Sequence, residues 1–252
     1  MHGKYYTVTV PIEEKGNGET AFADADVLFN WTSFEIPKGA ACLKSIHIAM
    51  KGTNGADGNK LDMELYFAKS INGVAPSAFG ALNGAATAAL SAACRRNVIG
   101  HKFLDASERS DDEDLIGYNV WGAGVTTAAS TAVSDLILEG DLSYGSTEGY
   151  QTIWVGAIAK GAFDFGTAVA LNQGSGQAVT TVNTQLTTDG TDPRNVFMKG
   201  DVVQAQDNAA IGTVVSVDSA TTMTVDGVAA VLADDDTINW KYPLEFVFGF
   251  EY

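Results

Sequence analysis

The sequence predicts an all-β chain, a sandwich or barrel with a small inserted β module and one short helical segment. Three observations carry this. Apolar residues recur mainly with a period of two. Gly/Asn/Asp turns divide the runs at intervals of roughly 8–12 residues or a little more. One alanine-rich stretch alone has helical spacing. The chain has 252 residues, 46% apolar and 10% aromatic, enough apolar surface to build a core without disulfides or metals. Fifteen basic side chains against 31 acidic ones give a net charge of −16. That balance argues against a phosphate-neutralising nucleic-acid face. No run approaches the ~18 consecutive apolar residues of a membrane-spanning helix, so no membrane partner is expected.

Taken in order, the strand candidates begin with Tyr5–Val10, Val27–Phe34 and Ala41–Met50, parted by turns such as Pro37-Lys38-Gly39. The start, Met1-His2-Gly3-Lys4-Tyr5-Tyr6, enters the first strand with no apolar block of signal type. In Leu61–Phe67, Leu61, Met63, Leu65 and Phe67 share one face while Asp62 and Glu64 take the other, as in a half-buried strand. Pro76–Asn97 breaks the pattern. Phe79, Leu82, Ala86 and Leu90 stand at helical spacing, Arg95 and Arg96 suit a helix C-terminus, and Gly80 and Gly84 delay the start to near Ala85. We read it as a long loop with one or two helical turns crossing the open end of the sheets. Ala106–Asp114 is a charged, solvated break. Leu115–Trp121, Leu136–Leu142 and Tyr150–Ala159 resume the strand pattern. The last of these is apolar on both faces, which predicts a central strand covered on both sides.

From about Ala162 the texture changes. Residues 1–160 carry 12 basic and 19 acidic side chains (−7), and residues 161–252 carry 3 and 12 (−9). A Thr/Gln/Asn/Gly-rich tract, Gly166–Gly190, precedes short Val/Thr strands at Asp201–Ala205, Gly212–Val217, Thr222–Val225 and Asp236–Trp240. The chain then ends on Leu244, Phe246, Phe248, Phe250 and Tyr252, alternating with Glu245, Val247, Gly249 and Glu251. Such large side chains need a larger core than Val and Thr provide. We therefore expect residues 162–240 to be an inserted β-barrel-like module, and 1–161 plus 241–252 to form the sandwich.

The catalytic inventory is thin. His2 is terminal, His47 lies on the strand face opposite Ile46, Ile48 and Met50, and His101 follows Gly100 in an expected loop. No HExxH, G-x-S-x-G, CxxC or P-loop pattern occurs, and Gly122–Gly124 is a lone glycine-rich turn. Cys42 and Cys94 read as small buried hydrophobes in a chain made in the cytoplasm. A glycosidase would need paired acids facing a cleft, for which Asp62 with Glu64 or Glu139 with Asp141 are the candidates; their alternation with apolar residues favours a hydrated outer face. Trp31, Trp121, Trp154 and Trp240 all fall in strand runs and are expected in cores. Asp57, Asn59 and Asp62 in the Asn54–Asp62 turn, and Asp234-Asp235-Asp236, could hold a cation, but they lack the order of an EF-hand and read as solvated turns. No catalytic, cofactor-binding or metal-ligating residue is assigned.

Two stretches carry a family resemblance. Phe34-Glu35-Ile36-Pro37-Lys38-Gly39 followed by Leu43–Met50 resembles the early strand pair of jelly-roll virion proteins. Lys199-Gly200-Asp201-Val202-Val203, Ile211–Val217 and Thr222–Gly227 are similar to small β modules inserted in such proteins. Together they span about a quarter of the chain and resemble virion structural proteins of tailed, particularly marine, bacteriophages, either capsid-decorating or tail-associated. The resemblance implies a jelly-roll-like antiparallel β-sandwich in a non-enzymatic virion protein. Its partners would be the major capsid protein or tail proteins, as a homo-oligomer with a trimer favoured. It supplies no catalytic residue. A tail-associated receptor- or glycan-binding protein is the alternative, with Tyr118, Tyr144 and Tyr150 as candidate exposed aromatics. A polysaccharide-degrading β-sandwich enzyme is a second.

Overall fold

The computed structural model of the chain describes residues 4–13, 21–51, 62–84, 92–104, 109–112, 115–121, 136–162, 169–171, 177–179, 183–205, 209–227 and 230–252. The first part contains β1 (Tyr5–Ile12), β2 (Val27–Pro37), β3 (Ala41–Lys51), β4 (Met63–Ala68), helix α1 (Ala92–Asn97), β5 (Val98–Leu104), β6 (Arg109–Asp112), β7 (Leu115–Trp121), β8 (Leu136–Leu138) and β9 (Tyr150–Ala159). Among the described residues there follow β10 (Val169–Leu171), β11 (Gln177–Val179), β12 (Thr184–Asp189), β13 (Val202–Ala205), the ten-residue β14 (Ala210–Ser219), β15 (Thr222–Gly227), β16 (Ala230–Leu232) and β17 (Thr237–Trp240). The last strand is β18 (Leu244–Glu251). The chain is all-β, as the alternation predicts.

The pairing is that of one long antiparallel hairpin rolled up. β1 lies on β18, β2 on β9, β3 on β7 and β8 in succession, and β4 on β5. Rolling adds two further antiparallel pairs, β18 on β3 and β9 on β4. The result is two sheets, β1-β18-β3-β7-β6 with β8 also on β3, and β2-β9-β4-β5. Such nested pairs, divided alternately between two sheets, make a jelly roll. Because every neighbour is antiparallel, the connections alternate between the two ends of the sandwich. The β2–β3, β4–β5 and β8–β9 connections share one end; the β1–β2, β3–β4 and β9–β18 connections share the other.

The period of two decides which face is buried. Phe246, Phe248 and Phe250 of β18 are at most 1% exposed and face the second sheet. The Phe248 ring stacks on Phe34 of β2 at 5.2 Å and meets Phe67 of β4 edge-on at 5.5 Å. Each such ring contributes about 2–3 kcal/mol by leaving water. β18 lies between β1 and β3, so the large aromatic residues of Leu244–Glu251 sit on an interior strand of the first sheet.

Both faces of β9 are buried, as its sequence predicts, and the cover on the outer side is the β4–β5 connection. This corrects the expectation that the alanine-rich segment crosses the open end of the sheets. Residues 76–84 lie on the outer face of the second sheet, where Phe79 packs with Val27, Trp31, Tyr66 and Ile158. Gly156 makes room: a Cβ there would run into the Phe79 ring. Backbone bonds from Val27 to Gly84 and from Asn83 to Val27 fasten the segment to the start of β2. Among its described residues the helix is α1, which carries the expected Arg95 and Arg96 in its last turn.

Other expectations shift as well. β5 occupies residues read as loop, so His101 is an exposed strand residue. The charged break contains β6, which pairs with β7. β8 stops at Leu138, four residues short of expectation. The Thr/Gln-rich tract supplies β10, β11 and β12. It escaped notice because these strands are short and bury threonine as well as leucine, Thr188 being 2% exposed.

Between β9 and β18, strands β10-β12-β15-β14-β13-β17 close into a barrel. Its interior is filled by Leu171, Leu186, Val203, Val214, Met223 and Ile238, a cluster sharing no residue with the sandwich core. β14 and β15 cross so closely at the paired Gly212 and Gly227 that a Cβ on Gly227 would overlap the Ile211 carbonyl. β11 and β16 form a two-stranded ribbon whose Val179 and Leu232 tuck into the barrel core.

Candidate functional site: a groove between two edge strands

Most residues singled out by the sequence have structural employment. Glu64 is ion-paired with Lys160 at 3.2 Å and bonded to the Tyr66 hydroxyl. Asp141 is a clasp between loops. Its Oδ2 accepts from Gly73 N at 2.9 Å and Ser70 Oγ at 3.2 Å, and its Oδ1 from Ser143 N at 2.9 Å and Ser143 Oγ at 2.6 Å. These donors, the Gly73 amide foremost, hold its carboxyl far below the usual aspartate range, the opposite of what a general acid requires. Glu139 is exposed beside it in sequence. Asp236 caps its own turn by accepting from Ala233 N, and Asp235 adopts a left-handed φ of 64°.

Cys94 is buried and Cys42 is half-buried on the outer face of β3, so only one of the two is a core residue, and the two are not joined in a disulfide. His47 is half-buried on that same outer face. Trp154 and Trp240 are buried at 5% exposure each, but Trp31 is half-buried at an edge, which corrects its assignment to a core. Tyr144 packs edge-on against Trp154 at 4.8 Å, and Tyr150 sits 6.3 Å from Tyr6, so neither projects from a loop. The Asn54–Gly58 part of the candidate cation turn, Asn59 and Gly122–Gly124 lie outside the described residues, as do the side chains of Tyr118 and Trp121. Among the described residues no cluster of His, Cys, Asp or Glu could hold a metal, and no helix is long and apolar enough to cross a membrane.

A concave feature among the described residues went unnoticed in the sequence. β1 and β2 are the edge strands of the two sheets on the same flank, and a groove of about 710 Å³ opens between them. Its floor is apolar, with Val8 and Val10 from β1 and Phe29 and Phe34 from β2. Its rim carries Thr9, Thr32, Ser33 and, at opposite ends, Glu13 and Glu35. Two bulges in β2, between Val27 and Phe29 and between Phe29 and Thr32, turn Asn30 and Trp31 out of the simple alternation. Asn30 then uses both ends of its amide on the covering segment, accepting from Phe79 N at 2.7 Å and donating to Gly80 O at 3.1 Å. Trp31 donates from Nε1 to Ser77 O at 2.7 Å and rests against Phe79 with ring centres 4.1 Å apart.

At the lower end, Glu35 accepts from Thr147 N at 2.7 Å, and bonds from Thr147 hold its carboxyl below the usual glutamate range. Tyr6 and Tyr252 have raised hydroxyl pKa values, first from burial and then from the mutual proximity of Tyr6, Tyr150 and Tyr252. At the upper end, Lys241 pairs with Glu13 at 3.4 Å and reaches over the Tyr242 ring at 5.5 Å.

A second surface lies at the end of the sandwich away from the barrel. Val74 and Leu142 are each 68% exposed, on the two loops that Asp141 clasps together, and Ile137 of β8 is 67% exposed nearby in the chain. Gln151, 1% exposed, stiffens this end, donating to Pro37 O and Gly39 O and accepting from Gly140 N.

Neither a protein-family model nor a curated protein sequence matches the chain. Among solved structures it is similar to one described as the crystal structure of infectious bursal disease virus VP2 subviral particle, with 9% identity and a TM-score of 0.19. The match covers 99% of this chain and 41% of that one, so the chain spans about two-fifths of that neighbour's length. A likeness at that TM-score carries no argument, and the fold and site stand on the geometry above.

Proposed function

We propose that the protein is a non-enzymatic structural component of a virion, docking on the capsid or tail through the sandwich as a homo-oligomer and projecting the acidic barrel outward. One observation carries this reading: the barrel connection and the clasped apolar loops lie at opposite ends of the sandwich. The rolled-hairpin topology puts the barrel connection at one end, while the clasped loops with Val74 and Leu142 are at the other. Large apolar side chains held out on stiffened loops suit a permanent contact with another protein. Residues 169–240 carry nine acidic and two basic side chains, which suits a surface facing solvent and not packed nucleic acid. The engagement of Glu64 and Asp141 in local bonds also disfavours hydrolytic chemistry.

The test is co-sedimentation of the purified chain with capsids and with tails of the virus that encodes it, alongside light scattering for its own stoichiometry. We expect binding to one particle, weakened about tenfold or more when Val74→Asp and Leu142→Asp are combined. A chain that binds neither particle, or one whose binding ignores those substitutions, overturns the reading. An outright monomer argues against a role bridging lattice subunits.

A further inference from the structure

The groove between β1 and β2 has no part in that end-on docking, and its chemistry points to a ligand of its own. We propose that it binds a linear, uncharged oligosaccharide. Four observations lead there, none depending on the virion reading.

The first is shape. The groove follows β1 from Tyr6 to Glu13, roughly 24 Å at the strand rise, which suits an extended chain better than a compact metabolite. The second is the lining, where aromatic surface alternates with hydroxyls and carboxylates. A sugar ring presents an apolar C–H face and an equatorial belt of hydroxyls, so it needs both kinds of group side by side.

The third is preorganisation. Trp31 is fixed by its bond to Ser77 and its packing on Phe79, Tyr6 is backed by Tyr150, and Tyr242 lies beneath Lys241. Aromatic platforms held in place before the ligand arrives lose little entropy on binding. The fourth is what the groove excludes. Its charged lining residues, Glu13 and Glu35, are both acidic. Lys241 pairs with Glu13, but Glu35 has no cation beside it in the lining and the chain's net charge is −16, which disfavours sulfated, uronic and phosphate polymers. An added peptide strand is also opposed. Pro11 removes an amide from β1, the two bulges distort β2, and Asn83 and Gly84 already bond to Val27 at its start.

The test is calorimetric titration of the full chain with cellohexaose, chitohexaose, mannohexaose and maltohexaose, with an oligogalacturonide and an extended Lys/Ser peptide as comparators. We expect at least one neutral hexasaccharide to bind with a Kd at or below about 1 mM. Ser33→Arg and Thr9→Arg, at exposed rim positions outside both cores, should each weaken it about tenfold while circular dichroism and melting stay as in the parent. The proposal fails if none of the four binds, or if both arginine variants bind as the parent does. It fails equally if the oligogalacturonide or the peptide binds in their place.

Discussion

A single carboxylate, Asp141, joins the two loops at the apolar end of the sandwich through four hydrogen bonds. An aspartate in an unfolded chain titrates near 3.9, and Asp141 in the folded chain titrates lower. The folded state therefore binds fewer protons at this group as the pH falls. Its stabilisation is complete above about pH 4 and is lost as the pH drops through the folded value. Hydrogen bonds to a charged acceptor are worth about 1.5–3 kcal/mol each, but partial exposure and shared geometry discount the total. We expect Asp141→Asn to cost about 2 kcal/mol at neutral pH, a fall of roughly 5 °C in melting temperature. The acid limb of the stability profile should also flatten. Melting curves from pH 7 to pH 3 check both, and a variant with the parent's acid limb would remove the clasp from the account.

At the scale of elements, the covering segment on the second sheet depends on one absent side chain. Gly156→Ala would push Phe79 off the sheet, and overpacking of this kind costs about 1–3 kcal/mol. Limited proteolysis should then cut residues 76–84 faster than in the parent while the sandwich core stays intact; equal cleavage would mean that the ring can sidestep the new methyl. The same contact shows where sequence reading reaches its limit. That β9 is covered on both faces is visible in its own residues, because a strand records its burial locally. What covers it is not visible, because Phe79 finds Gly156 across 77 positions and neither residue marks the other. β18 was legible for the same local reason, since alternating phenylalanines demand a core. β5 was hidden by Gly100 and His101, and the groove by the β2 bulges, which break the period at Asn30 and Trp31.

For the whole molecule, the barrel and sandwich have separate cores, and the barrel's strands lie between β9 and β18. The ends of β9 and β18 belong to facing sheets, about 10 Å apart. Replacing residues 163–240 with a linker of about six Gly/Ser residues should leave a folded sandwich that melts cooperatively, with far-ultraviolet spectra of β type. Loss of folding would show that the two bodies need each other. The charge asymmetry makes a further sense here, since excision removes much of the acidity and leaves the apolar end unchanged.

The position of β18 also sets an order of events. It is an interior strand of the first sheet, between β1 and β3, yet it follows the whole barrel in the sequence. During synthesis β1 and β3 must wait, with a vacant lane between them, until the barrel's residues have left the ribosome. Closure over so long a separation is slow, and the unfilled lane exposes two strand edges to any passing chain. A barrel that folds within its own contiguous stretch shortens that wait, drawing the start of β18 back toward the lane it completes.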